Sequence, residues 1–85
     1  MTYRIEWRLA ALKEVEALAR DVRARIVSKV GSLAANPRSP GYTKLAGQDN
    51  EYRVRVGDWR IIYSVEDRVL LVLVLRVRHR REAYR

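Results

Sequence analysis

The 85-residue sequence predicts an α+β fold in the order β-α-α-β-β-β, with two N-terminal helices packed on a mostly antiparallel four-stranded sheet. Two observations predict it. Between residues 9 and 33 apolar side chains recur every three or four positions, as in amphipathic helices, whereas between residues 51 and 77 they form alternating or continuous runs typical of strands. Two prolines and a glycine within residues 36–41 separate the two halves. The length suits one domain, residues 1–85, with one hydrophobic core.

The first half of the chain predicts a strand and two helices. Residues 3–7 alternate in polarity, which places the side chains of positions 3, 5 and 7 on one face of a short strand. The helical spacing begins at Leu9 and continues for about three turns. A second helical pattern covers residues 22–33, and Asp21 stands where it would cap that helix. We therefore predict a helical hairpin broken near Arg20, with one continuous helix as the alternative.

The second half predicts three strands joined by tight turns. A turn at residues 47–50 leads into a strand over residues 51–56, and Gly57-Asp58 has the glycine that a two-residue type II′ hairpin turn prefers. The return strand covers residues 59–65, and residues 66–68 form the next turn. The last strand, residues 69–77, is the most apolar, which indicates a central position covered on both faces.

Composition excludes several classes of site. The chain has no cysteine, so thiolate zinc sites, iron–sulfur clusters and cysteine nucleophiles are excluded. A single histidine, His79, argues against histidine-rich metal sites and serine triads, and no carboxylates cluster, so we expect neither a metal nor another cofactor. The longest apolar run, residues 69–75, is far too short for a membrane helix, which needs about 20 residues. We expect a cytoplasmic protein with no membrane partner.

Positive charge is concentrated on the predicted hairpin. Eighteen basic residues, fifteen of them arginine, against ten acidic ones give a net charge of +8. The two-residue turn would set Val56 opposite Trp59 and Arg55 opposite Arg60, with Arg53 two positions along on the same face. Three guanidinium groups would then share one strip of sheet, and an anion such as a phosphate would relieve their repulsion. The alternative is a solvated face from which the arginine side chains spread into water.

The C-terminal segment, residues 76–85, adds five arginines and one glutamate, a net charge of +4. Nucleic acid is the polyanion that such a basic surface most readily binds. RNA cleavage without a metal needs only proton transfer and stabilisation of the phosphorane, because the 2′-hydroxyl of the substrate is the nucleophile. Tyr84 is a candidate for proton transfer, since neighbouring positive charge favours its phenolate. His79 is the conventional acid–base candidate, with a plain surface residue as the alternative, whereas Tyr52, Trp59 and Tyr63 are predicted to belong to the core.

Two segments carry a resemblance to a known family. Residues 52–63 (YRVRVGDWRIIY) and 77–85 (VRHRREAYR), together with 9–13 (LAALK) and 44–47 (KLAG), resemble the RelE branch of the RelE/ParE toxin superfamily of bacterial and archaeal toxin–antitoxin pairs. The resemblance spans essentially the whole chain. It implies an endonuclease that cleaves mRNA in the ribosomal A site and arrests translation. It also implies a cognate antitoxin, a short acidic protein with a DNA-binding part, as partner.

The resemblance also implies roles for individual residues. Arg53 and Arg55 match the basic pair that stabilises the phosphate, and Arg60 matches the arginine that opens the next strand. Arg80 matches an arginine near the leaving group, and Tyr84 matches a tyrosine linked to activation of the 2′-hydroxyl. The remaining RNA-binding candidates are Arg78, His79, Arg81 and Arg85. Relatives carry lysine where Arg53 and Arg55 stand, and a guanidinium cannot replace a lysine as a base.

Three other functions remain open from the sequence. A ParE-like toxin that poisons DNA gyrase would share the fold, but that branch generally lacks the basic residues and tyrosine found here. A non-catalytic module could use the arginine face to hold nucleic acid or an acidic antitoxin. An inactive, degenerate toxin is the third. Cleaved mRNA during growth arrest would separate ribonuclease activity from all three.

Overall fold

The computed structural model describes residues 2–47 and 49–83. Its elements are β1 Arg4–Trp7, α1 Leu9–Glu16, α2 Arg20–Ser32, β2 Thr43–Lys44, β3 Glu51–Val56, β4 Trp59–Glu66, β5 Leu71–His79 and α3 Arg80–Ala83, with a 3₁₀ turn at Asp67–Val69. The sheet has five strands in the order β1-β5-β4-β3-β2, in which β1 is parallel to β5 and the other pairs are antiparallel. The predicted α+β class is confirmed, and the predicted elements occur in the expected order with two additions, the short strand β2 and the C-terminal helix α3.

The two-residue strand β2 is the fifth strand, which the prediction of four strands missed. It pairs with β3 through Thr43 opposite Arg53 and Lys44 opposite Tyr52. Two residues are too few to show an alternating pattern, so only the tertiary pairing defines this strand.

The predicted break between the helices is confirmed, but the predicted cap is wrong. α1 ends at Glu16 and α2 begins at Arg20, with Ala19 as the N-cap residue in an extended conformation. Asp21 lies one residue inside α2 instead of capping it, and its carboxylate there favours the positive end of the helix dipole. Within the described part of the chain, neither helix has the length and apolar character needed to span a bilayer.

The core lies between the helices and one face of the sheet. Helix α2 contributes Ile26, Val30 and Leu33, and α1 contributes Ala11 and Val15. The sheet side of the core consists of Tyr52, Val54, Ile61, Tyr63, Val65, Val72, Val74 and Val77. The prediction that the hairpin aromatics belong to the core is confirmed for Tyr52 and Tyr63, which are buried, whereas Trp59 is partly buried and packs against the core.

The prediction for strand β5 is confirmed in part. It is an interior strand between β1 and β4, next to the middle strand β4. Its residues Val72 and Val74 are fully buried, whereas Leu71 and Leu73 on the other face are only half-buried, so the strand is covered fully on one face alone. The strand also begins two residues later than predicted, because Leu70 adopts a left-handed conformation with φ of 52°.

Candidate active site

The β3–β4 hairpin has the predicted register. Gly57 has φ of +58° whereas Asp58 does not have a positive φ, as a type II′ turn requires. Arg55 therefore pairs with Arg60, and Arg60 pairs in turn with Arg78 on β5. Arg53 lies two positions before Arg55 and so shares its face. The register thus brings arginines from three adjacent strands onto the face opposite the core.

Three of these arginines line one cavity of about 380 Å³. Arg53, Arg55 and Arg60 form its sheet side, and Lys29 of α2 closes it at the edge of β3. The other lining residues are Pro40, Gly41, Thr43 and Val54. None of the described lining residues is acidic, so the cavity carries four formal positive charges and is complementary to an anion. The shared cavity and the burial of Arg60 distinguish this cluster from a fully solvated row of arginines.

Arg60 is the most buried of the cavity cations. Only 3% of its surface is exposed, and its Nη1 atom lies 3.5 Å from the backbone carbonyl of Trp59, to which it donates. Arg53 is half-buried and Arg55 is exposed. Because Arg60 lies on the middle strand of the sheet, its guanidinium is held in place before any ligand arrives. Such fixed charges stabilise developing negative charge more effectively than mobile ones.

A polar network fixes the loop that forms the opposite wall. Arg38 donates from both Nη atoms to the carboxylate of Asp67 at 3.1 and 2.9 Å, and from Nε to the Tyr52 hydroxyl at 3.2 Å. Tyr3 donates to the same carboxylate at 2.6 Å. The hydrogen bonds from Arg38 and then Tyr3 lower the pKa of Asp67, and the hydrogen bond to Asp67 raises the pKa of Tyr3. The network holds the chain just before Pro40, which lines the cavity.

The buried Tyr63 holds the same loop through a hydrogen bond. The Tyr63 hydroxyl donates to the Pro37 carbonyl at 2.6 Å, and its ring stacks 5.8 Å from that of Tyr52. Burial raises the pKa of Tyr63 to about 12, so it remains a neutral donor. At the end of this loop Gly41 has φ of +97°, a conformation that favours glycine.

The described C-terminal candidates are not among the residues that line the cavity. The Arg80 backbone N–H donates to the Asp58 carbonyl at 2.7 Å, and its guanidinium lies 3.9 Å from the Asp58 carboxylate, at the hairpin turn. The His79 ring packs edge-on against Trp59 and its Nδ1 accepts the Arg81 backbone N–H at 3.4 Å. The structure therefore groups Arg53, Arg55 and Arg60 but does not add Arg80 to the cavity lining. The predicted sites at positions 84 and 85 (Tyr84 and Arg85) lie outside the described residues.

Arg78, a predicted RNA-binding residue, faces a carboxylate of α1. Its Nε lies 3.8 Å from Glu14 Oε2, and the neighbouring Arg76 donates from Nη2 to the same atom at 2.8 Å. Glu14 Oε1 also accepts the Val77 backbone N–H at 2.9 Å. Partial burial raises the pKa of Glu14, but the hydrogen bonds and the arginine charges lower it by a larger amount. Its pKa therefore lies below the ordinary value. Glu14 thus offsets positive charge beyond the cavity.

The sequence did not identify Lys29 as a site residue. Lys29 and Arg25 both lie off the apolar stripe of α2, and this was the available signal. The structure shows that both turn toward the hairpin: Arg25 and Lys29 line a second, open groove of about 590 Å³ together with Arg55 and Gly57. Among the described residues, no group of three or more histidine, cysteine, aspartate or glutamate side chains is arranged to hold a metal ion.

Comparisons with known proteins agree with this architecture. Residues 5–84 match the family model of the ParE toxin of the type II toxin–antitoxin system parDE. A putative RelE-like toxin protein of Escherichia coli is 31% identical over 99% of this chain and 92% of its own length. Toxin RelG of Mycobacterium tuberculosis is 27% identical over 100% of this chain and 99% of its own length.

Solved structures give the same result. The archaeal RelE–RelB complex from Pyrococcus horikoshii contains a chain with a TM-score of 0.83 and 28% identity, over 94% of this chain and 97% of that one. The isolated E. coli RelE toxin has a TM-score of 0.80 and 27% identity, over 96% and 95% of the two chains. With the family match over residues 5–84 and the shared fold, the chain belongs to the RelE/ParE superfamily and is a RelE-like toxin of a type II toxin–antitoxin system.

Proposed function

We propose that this toxin is a ribosome-dependent endoribonuclease that cleaves mRNA in the A site without a metal ion and so inhibits translation in the cytoplasm. The observation that carries the proposal is the cavity lined by Arg53, Arg55, Arg60 and Lys29 with no described acidic residue. Guanidinium, ammonium and hydroxyl groups bind phosphate oxygens directly. A cavity of about 380 Å³ is within the usual range for small-ligand sites and accommodates one phosphodiester with its sugar.

In the proposed reaction the 2′-oxygen of the RNA attacks the adjacent phosphorus. The bond from phosphorus to the 5′-oxygen breaks, which leaves a 2′,3′-cyclic phosphate and a free 5′-hydroxyl. The three cavity arginines stabilise the phosphorane, and the Tyr84 phenolate accepts the 2′-hydroxyl proton. Following the resemblance, Arg80 stabilises the leaving 5′-oxygen, which takes up a proton as it departs. The RNA-binding residues Arg78, His79, Arg81 and Arg85 contact flanking RNA.

The test uses purified toxin and ribosomes programmed with a defined A-site codon. Arg53→Ala and Arg55→Ala are each expected to slow mRNA cleavage by about 100-fold, the effect typical of losing one preorganised donor to a transition-state anion. Arg60→Ala, Arg80→Ala and Tyr84→Phe test the other assigned residues. Arg68→Ala is the matched control, because Arg68 is exposed on the 3₁₀ turn and does not line the cavity.

Cleavage that survives all five substitutions would exclude the proposed site. The match to a ParE family model favours DNA gyrase poisoning as the second candidate function. Growth arrest with broken DNA and intact mRNA would support that candidate and exclude the ribonuclease.

The same cavity supports a proposal for the partner. We infer that the cognate antitoxin places acidic side chains against the cavity cations and thereby blocks RNA binding. A toxin of net charge +8 should attract an acidic chain through forces that salt screens. Association measured by calorimetry is therefore expected to weaken as the salt concentration rises, and an affinity independent of salt would exclude these contacts.

A further inference from the structure

Lys29 differs chemically from every other cation that lines the cavity. It lies in the last turn of α2, is half-buried, and lines both the cavity and the adjoining groove. Among the described lining residues it is the one amine, because the other three cations are arginines. It also approaches from the helix at the strand edge, whereas the arginines belong to the sheet. Lys29 can therefore reach an anion in the cavity from a different side.

An amine can perform a step that guanidinium groups perform poorly. When the bond from phosphorus to the 5′-oxygen breaks, the leaving oxygen needs a proton. A lysine ammonium is ordinarily a stronger acid than an arginine guanidinium by about 2–3 pKa units, and arginine is effectively always protonated in proteins. The cavity arginines can thus stabilise negative charge on the phosphorane, but they are poor proton donors.

Among the described residues of the C-terminal segment, neither Arg80 nor His79 lines the cavity. The Arg80 guanidinium, matched by the family resemblance to a residue near the leaving group, lies beside Asp58 at the hairpin turn and does not line the cavity. His79 packs against Trp59. Of the described residues that line the cavity, Lys29 has the side chain best suited to donate a proton to the leaving oxygen.

We propose that Lys29 is the catalytic general acid that protonates the leaving 5′-oxygen; this inference rests on the proposed ribonuclease function. As the bond between phosphorus and the 5′-oxygen breaks, its electron pair remains on that oxygen, which takes a proton from Lys29 Nζ. The 2′-hydroxyl proton passes to the Tyr84 phenolate. The products are the 2′,3′-cyclic phosphate and the 5′-hydroxyl, and the neutral Lys29 amine recovers its proton from water.

The experiment compares two synthetic mRNAs on programmed ribosomes. One has the natural oxygen at the scissile 5′-position, and the other has sulfur there, a leaving group that departs without protonation. Lys29→Met and Lys29→Arg are tested beside Lys13→Met, a control that removes an exposed lysine of α1. On the oxygen substrate both Lys29 variants are expected to cleave about 100-fold more slowly than the parent toxin. On the sulfur substrate they are expected to cleave within about threefold of the parent.

The outcomes separate this proposal from the proposed function. Full activity of Lys29→Arg on the oxygen substrate would overturn the proton-transfer role and leave a role for charge alone. An equal loss by Lys29→Met on both substrates would also overturn it. A parent toxin that cleaves neither substrate would overturn the ribonuclease function itself, and this inference with it. Because Lys29→Arg keeps the charge near the end of α2, it tests the chemistry without removing the favourable helix-end charge.

Discussion

Replacing Glu14 with alanine is expected to lower the free energy of unfolding by about 2–3 kcal/mol. Its carboxylate accepts the Val77 backbone N–H at 2.9 Å and the Arg76 guanidinium at 2.8 Å, and the side chain is 24% exposed. A shielded hydrogen bond to a charged group contributes about 1.5–3 kcal/mol. The Arg76 pair, at 44% exposure, adds at most about 1 kcal/mol because solvent screens it. For a domain of this size the loss corresponds to a fall in Tm of about 10–20 °C.

The pH dependence of stability tests the same contact. Burial raises the pKa of Glu14, but the hydrogen bonds from Arg76 and the Val77 amide and the arginine charges outweigh it, so the folded-state pKa lies below the ordinary value near 4.5. A carboxyl with a lowered folded-state pKa stabilises the fold above its unfolded-state pKa, and this contribution disappears as the pH falls through the folded-state value. The difference in stability between the parent and Glu14→Gln should therefore be largest near neutral pH and should shrink below about pH 4.5.

Urea unfolding followed by tryptophan fluorescence measures both effects. Glu16→Ala is the control, because this substitution removes the same charge from an exposed position on α1, two residues after Glu14. We expect it to change the free energy of unfolding by less than about 0.5 kcal/mol. A Glu14→Ala variant no more destabilised than this control would show that the Glu14 carboxylate does not stabilise β5 at Val77.

Two further predictions concern the hairpin turn and the loop anchor. Gly57→Ala should destabilise the fold by about 1–3 kcal/mol because the φ of Gly57 is +58°, which alanine adopts only with strain. Gly31→Ala in α2, where an added Cβ meets no neighbour, should instead stabilise the fold by about 0.5–1 kcal/mol. Urea unfolding measures both changes, and equal effects would contradict the turn assignment. Tyr63→Phe should cost about 1 kcal/mol through the lost bond to Pro37, with Tyr42→Phe at an exposed ring as control. Because burial raises the pKa of Tyr63 to about 12, the parent should also lose stability between pH 10 and pH 12, and a titration curve unchanged by Tyr63→Phe would contradict this.

The sequence was sufficient to predict the part of the site that depends on local geometry. Alternation and the Gly57-Asp58 turn together determine the register that pairs Arg55 with Arg60, since a two-residue turn leaves one pairing that keeps the apolar face buried. Lys29 could not be assigned in this way. Its approach to the cavity depends on how α2 lies across the edge of β3, and helical periodicity does not specify that placement.

The C-terminal segment shows a different limit. Its charge predicted contact with RNA, but a count of charges does not reveal which arginines have partners within the fold. Glu14 lies more than sixty residues before Arg76 and Arg78 in the chain, so its pairing with them is a product of tertiary packing. The same holds for Asp58 and Arg80, which meet because β5 ends beside the hairpin turn.

The paired arginines of the cavity are unfavourable for stability and favourable for the proposed function. Like charges directly opposite each other on paired strands are destabilising, and Arg55 faces Arg60 across the hairpin. A bound phosphate would offset this repulsion. In the free toxin the repulsion between the two arginines remains. Neutralising the exposed Arg55 should therefore leave the free fold at least as stable as before while weakening its hold on an anion. Loss of cleavage in Arg55→Ala, accompanied by unchanged or increased resistance to urea, would then follow from the loss of a phosphate contact and could not be attributed to unfolding.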